Sequence, residues 1–265
     1  MDLQLRGKRA VVTGGSSGIG LAVADLLAEE GADVALVARR KEPLDAAVEQ
    51  VGRHGTHVIA VQADTADDES VRAMADAVVG ELGGVDVLVN SAARPAGLIP
   101  QRGIAELTDD DVRIELETKL LGYLRCARAL APSMVASGWG RIVNVSGLNA
   151  RQSVSIPGSV RNIAVAAMSA ALADELGPKG VNVSVVHPGM TVTRGTEELI
   201  ASRAEAQGVD EETMRARAES GTRIGRLATA AEVADVIVFL CSPRSVAIAG
   251  DAIAAGGGAR GVTYY

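Results

Sequence analysis

The chain has 265 residues, enough for one large domain with a sizeable core. Hydrophobic residues make up 48% and charged residues 22% of it, and 26 Lys and Arg against 33 Asp and Glu leave a net charge of −7. With no basic patch interleaved with aromatics, nucleic acid is not an expected partner, and no apolar run approaches a membrane span.

Aromatics are only 2%, so the core is expected to be aliphatic and its elements closely packed. The first eight residues lead straight into an apolar run and lack the hydrophobic region of a signal peptide. Cys126 and Cys241 stand alone on helical patterns. They fit reduced, buried thiols, so a cytoplasmic location with no disulfide and no metal site is expected.

Strand and helix patterns alternate from end to end. Apolar runs occur over 10–12, 34–38, 57–61, 85–90, 141–146, 181–187 and 246–253, with helical patterns over 19–30, 43–52, 69–82, 111–136, 161–176 and 231–240. Near-continuous apolar strands joined by helical crossovers predict a single α/β domain built on a parallel sheet covered on both faces. Asp109-Asp110-Asp111 after Thr108 reads as a capped, dipole-matched helix start. Trp139 reads as an anchor at the turn into the fifth strand. The polar stretch 194–221 after the sixth strand is either a plain surface helix pair or a substrate lid, because ligands sit at the C-terminal ends of such strands.

Thr13-Gly14-Gly15-Ser16-Ser17-Gly18-Ile19-Gly20 follows the first strand and opens the first helix. Backbone amides at such a turn face a phosphate at a helix N-terminus, and glycine permits both the turn and the close approach. Dinucleotide binding is the reading that this context supports.

From these residues the chain resembles the short-chain dehydrogenase/reductase family over essentially its whole length. Asp64-Thr65 resembles the pair that caps the adenine. Asn90-Ser91-Ala92-Ala93 stands where the family has Asn-Asn-Ala-Gly, and 140–146 is similar to the strand leading to the active-site serine. Pro188-Gly189-x-x-x-Thr193 is similar to the loop that closes over the nicotinamide. The resemblance implies a doubly wound Rossmann-type domain of about seven strands acting on a small-molecule substrate. It also implies cofactor contacts from Gly14, Ser16, Ser17, Gly18, Ile19, Gly20, Asp64, Thr65, Asn90, Ala92, Pro188, Gly189 and Thr193. The Ala-rich helix over 161–176 corresponds to one that packs between subunits in the family, which implies a homodimer or homotetramer.

Ala38-Arg39-Arg40 ends the second strand where an NAD binder places an acid, so Arg39 and Arg40 favour NADP(H) over NAD(H). The expected Asn-Ser-Tyr-Lys tetrad departs from the family. Lys119 falls at the Asn position, Gly158 at the Tyr position and Asn162 at the Lys position. Ser146 is the first residue of a pair whose second, usually the catalytic serine, is Gly147. The catalytic candidates are therefore Lys119, Ser146 and Asn162, with Lys119 stabilising or protonating a substrate oxygen and Ser146 donating a hydrogen bond. The alternative places Lys119 outward or paired with Glu115. Tyr123, Tyr264 and Tyr265 are poorly placed substitutes, and His187 is either a proton shuttle or a packed loop histidine. Arg151, Gln152, Ser153 and Ser155 border the expected substrate position, and Arg161 lies beside Asn162.

The leading expectation is a divergent NADP(H)-dependent oxidoreductase acting on a carbonyl or enone compound. Its rivals are a redox-neutral isomerase, lyase or cyclase and a non-catalytic nucleotide-binding or scaffold protein.

Overall fold

The apolar runs become parallel strands, and the reason is visible along the first of them. β1 (Arg9–Thr13) is buried on both faces: Val12 points into a cluster with Val23, Leu27, Leu36 and Ile237, and Val11 into another with Met74, Leu88, Leu130 and Ile142. Each such side chain contributes about 1.5–3 kcal/mol through burial, which is why a near-continuous apolar strand needs helices on both sides. The computed structural model describes residues 1–94 and 103–260.

In chain order β1 is followed by α1 (Gly18–Glu29), β2 (Asp33–Ala38), α2 (Lys41–Gly52), β3 (Val58–Gln62), α3 (Asp68–Leu82) and β4 (Val87–Asn90). Next come α4 (Asp109–Glu115), a π-helical segment (Leu116–Leu121), α5 (Gly122–Ser137), β5 (Gly140–Val145), α6 (Ile156–Leu176) and β6 (Val181–Pro188). The chain closes with β7 (Thr191–Val192), α7 (Arg194–Gln207), α8 (Glu211–Ser220), β8 (Ala228–Thr229), α9 (Ala230–Cys241) and β9 (Ala252–Ala255). The main sheet has seven strands in the order β3-β2-β1-β4-β5-β6-β9, every pair parallel. The chain direction across the sheet reverses between β1 and β4, and a crevice opens there beyond the strands' C-terminal ends.

Several boundaries differ from the sequence reading. The seventh strand begins at Ala252 rather than 246, because the chain is still turning at 246–247 after a short 3₁₀ turn (Pro243–Ser245) and Gly250 is left-handed. The long helix over 111–136 is divided by the π-helical segment, which widens the turn at Lys119. Its start is the expected cap: Thr108 Oγ1 accepts from Asp111 N at 3.2 Å, and the Asp111 carboxylate accepts from Thr108 N at 2.9 Å. The 194–221 stretch is two helices over a small core of Ile200, Ala204, Met214 and Leu227, and the β7–β8 pair at its base had no periodic signal. Trp139 anchors the fifth strand as expected, with Lys8 Nζ 3.9 Å and Arg141 Cζ 4.7 Å from its ring centre. Cys126 and Cys241 are buried free thiols, and burial pushes the Cys126 thiol up to about 12.

One expectation needs correcting. The stretch Ile156–Lys179 is long and apolar enough to cross a membrane by length and composition alone. In the fold it lies along β6 and buries Arg161, Asn162 and Ser169 toward the protein.

Candidate active site

A cleft of about 1040 Å³ lies over the crevice between β1 and β4. Its two ends are built differently.

At one end the wall is mostly backbone. Gly14 adopts φ +71°, and a Cβ there would lie 2.9 Å from the Ala92 backbone. A Cβ on Gly20 would lie 2.3 Å from the Gly14 carbonyl oxygen, so helix and turn can touch only if this residue is glycine. Ser17, the N-cap of α1, makes no side-chain cap bond, which leaves the first amides of the helix facing the cleft. Thr193 caps α7 and packs over Gly18, its Cγ2 3.5 Å from where a Cβ would stand. Arg39 and Arg40 are exposed at the rim and pair with no carboxylate among the described residues. The residues present therefore fit a pyridine dinucleotide: an amide cradle suited to the pyrophosphate, with Asp64 and Thr65 further along the same wall.

Of the cofactor residues expected from sequence, Gly14, Ser16, Ser17, Gly18, Ile19, Gly20, Arg39, Arg40, Asp64, Thr65, Ala92, Pro188, Gly189 and Thr193 line this cleft. Asn90 does not. It is fully buried, and its Nδ2 donates to Asn144 Oδ1 at 2.9 Å, tying β4 to β5; Asn144 in turn donates to Ser169 Oγ at 2.8 Å. Its Nδ2 is taken by these neighbours, while its Oδ1 is buried with no hydrogen-bond partner.

At the other end the wall is made of buried side chains. Lys119 is 4% exposed, points inward, and donates from Nζ to Ser146 O at 2.7 Å and to Asn162 Oδ1 at 3.2 Å. Burial, and then the Arg161 guanidinium, hold its ammonium well below the usual lysine range, with Glu115 opposing. Lys119 is thus neither outward nor bonded to Glu115. That carboxylate is taken by Arg161, whose Nη1 donates to Oε2, and it meets Arg94 Nη1 at 3.5 Å.

Lys119, Ser146 and Asn162 are brought together on the cleft wall as expected. The Ser146 hydroxyl, however, donates to Asn162 O at 3.0 Å. Its proton satisfies a helix carbonyl, so toward the cleft Ser146 offers an acceptor rather than the expected donor. A Cβ at Gly147 would lie 2.9 Å from Asn162 Nδ2, and one at Gly158 would lie 2.6 Å from Ser155 Oγ and 3.1 Å from Asn149 Nδ2. Space that larger residues at these two positions would need is filled by Asn162, Ser155 and Asn149.

Tyr123 is fully buried and donates to Val145 O at 2.9 Å, and burial pushes its phenol up. Tyr264 and Tyr265 lie outside the described residues. Among the segment expected to border substrate, Gln152 lines the cleft, Ser155 caps α6 and Arg151 donates to Ala252 O at 2.9 Å. His187 is 2% exposed and off the cleft wall; burial, Arg151 and Lys119 lower its pKa to about 4. It is a packed histidine. The buried Glu115 and its contact with Arg94 had no sequence signal, because a carboxylate one turn before Lys119 reads as helix surface.

Residues 8–204 match the short chain dehydrogenase family. The chain belongs to that family. It is 33% identical over 250 residues to the short-chain reductase protein NovJ of Streptomyces niveus, covering 94% of this chain and 92% of that one. Its fold superposes on L-sorbose reductase from Gluconobacter frateurii, solved with NADPH and L-sorbose, with a TM-score of 0.93 at 31% identity, covering 99% of this chain and 100% of that one. NAD⁺-bound xylitol dehydrogenase is similar at a TM-score of 0.89 and 25% identity, covering 96% and 100%. The chain is thus an oxidoreductase of the short-chain type with a pyridine-nucleotide site, and its relatives use either nucleotide.

Proposed function

We propose that the protein is an NADP(H)-dependent oxidoreductase of a small carbonyl or enone compound, with a chemical end rebuilt around Lys119. The observation that carries this reading is the buried Lys119 ammonium on the cleft wall, held by two fixed acceptors at 2.7 and 3.2 Å. An ammonium has three N–H groups. Ser146 O and Asn162 Oδ1 use two, and the third is available to a substrate oxygen. A bound nicotinamide supplies or accepts a hydride. Lys119 would then stabilise the negative charge developing on that oxygen and give it a proton, recovering one from water. Its depressed basicity makes it a better acid than a solvated lysine. Asn162 positions Lys119, occupying the space beside Gly147.

The preference for NADP(H) rests on Arg39 and Arg40, two guanidinium groups at the rim with no carboxylate partner among the described residues. The helices α7 and α8 contribute Arg194, Leu199, Arg203 and Ala218 to the cleft lining, which supports their reading as a substrate lid. Ile156, Val160 and Ile163 on α6 are 51%, 43% and 52% exposed, which supports a homodimer or homotetramer packed through that helix.

The test is a titration with NADPH and with NADH, followed by a screen of ketones and enones with deuterium-labelled NADPH. Tighter NADPH binding and stereospecific label transfer are expected. Turnover without nucleotide consumption would instead favour a redox-neutral enzyme, and no binding of either nucleotide would favour a scaffold.

A further inference from the structure

The substrate end of the cleft holds more positive side chains than the described residues neutralise. Arg94, Lys119 and Arg161 line it. The carboxylate paired with both arginines is Glu115, which is 2% exposed and stands behind the wall rather than on it.

Arg161 is 6% exposed and gives one nitrogen to Glu115, while its Nε–H is buried with no partner. A guanidinium presents five donors in a fixed fork, and leaving one of them buried and unmet is unfavourable. Arg94 reaches Glu115 only at 3.5 Å, long for a charge-assisted bond, and its side chain keeps 27% exposure. One buried carboxylate cannot saturate two guanidinium forks and an ammonium.

We propose that the substrate carries an anionic oxygen group, a carboxylate or a phosphate, that docks on Arg161 and Arg94 while its carbonyl oxygen lies at Lys119. This inference rests on the oxidoreductase reading above and names the substrate class within it. The anion would meet the orphaned Nε–H of Arg161 and complete the pairing that Glu115 leaves unfinished. A neutral analogue of the same shape leaves those donors unmet and binds less tightly, because discrimination arises where a site's buried polar groups lose their partner.

The test uses the NADPH-loaded protein and two matched pairs: 3-oxobutanoate against its methyl ester, and dihydroxyacetone phosphate against dihydroxyacetone. Binding is followed by nicotinamide fluorescence, independently of turnover. The charged member of at least one pair is expected to bind tenfold or more tightly than its neutral partner, and the pair that responds separates carboxylate from phosphate. Arg161→Gln removes that preference and Arg94→Gln reduces it, with the NADPH Kd within threefold of the parent. Because Arg161→Gln strands Glu115, the double variant Glu115→Gln/Arg161→Gln is measured alongside.

Equal binding within both pairs, no binding of any member while NADPH still binds, or a preference that survives in the folded double variant would each overturn the proposal. Failure of the parent protein to bind NADPH is a different result: it removes the oxidoreductase reading and this inference with it.

Discussion

The two ends of the cleft differ in what they are made of. The nucleotide end is mostly backbone: turn amides, glycines in contact with one another, and the Thr193 cap folded over Gly18. The chemical end is side chains drawn from four separate stretches of chain, with Arg94 after β4, Glu115 and Lys119 on the divided helix, Ser146 after β5, and Arg161 and Asn162 on α6. A backbone cradle tolerates change around it as long as its glycines stay. A cluster of buried charges does not, because each member leaves another uncompensated when it goes. The proposed function draws on that contrast: a retained cofactor end beside a chemical end whose members depend on one another.

Substitutions at either end sharpen that contrast. The largest effect is expected for Lys119→Met, which should lower turnover by about 10²–10⁴-fold, the usual worth of a positioned acid–base, in steady-state assays of whichever compound proves to be reduced. Arg161→Ala leaves Glu115 buried with only its long contact to Arg94 and should cost roughly 3–5 kcal/mol in urea unfolding. Adding Glu115→Gln should restore most of it, which would show that the pair acts as a unit.

His187 gives a pH signature. The unfolded chain takes up its proton below the ordinary value of 6.5, whereas the folded chain resists until about 4. Stability should therefore fall as pH drops between those values, by roughly 3 kcal/mol at 1.36 per unit, and His187→Gln should remove that part of the slope.

At the cofactor end, Gly20→Ala forces a Cβ onto the Gly14 carbonyl. It should cost about 1–3 kcal/mol of stability and abolish nucleotide binding by calorimetry. The smallest change is expected for Arg39→Ala/Arg40→Ala, which should weaken NADPH about tenfold and leave NADH binding unchanged.

The same division explains what could be read from sequence. The glycine turn announces itself because a backbone cradle needs glycine at fixed local spacing, and the covered parallel sheet because apolar runs alternate with helical patterns, its number of strands coming from the family resemblance. Lys119 and Asn162 were legible only by register against the family pattern; that they bond to one another depends on α6 crossing the divided helix, a contact 43 residues apart in sequence. Glu115 was not legible as a buried carboxylate, since nothing local distinguishes it from the exposed acids around it. Asn90 differs in the opposite sense: a family position on a strand end pointed to the cofactor, but the residue is off the cleft wall and its Nδ2 donates to Asn144. The direction of the Ser146 hydroxyl turns on the carbonyl of Asn162, which again only the fold supplies.

The central claim is that the cofactor end works independently of a chemical end centred on Lys119. The most direct measurement pairs two numbers on the parent protein and Lys119→Met: the NADPH Kd, and the rate of deuterium transfer from labelled NADPH to a reducible ketone or enone. An unchanged Kd, within threefold, with transfer reduced at least a hundredfold is the expected result. Equal transfer by the two proteins, or loss of NADPH binding in a folded Lys119→Met, would contradict the account.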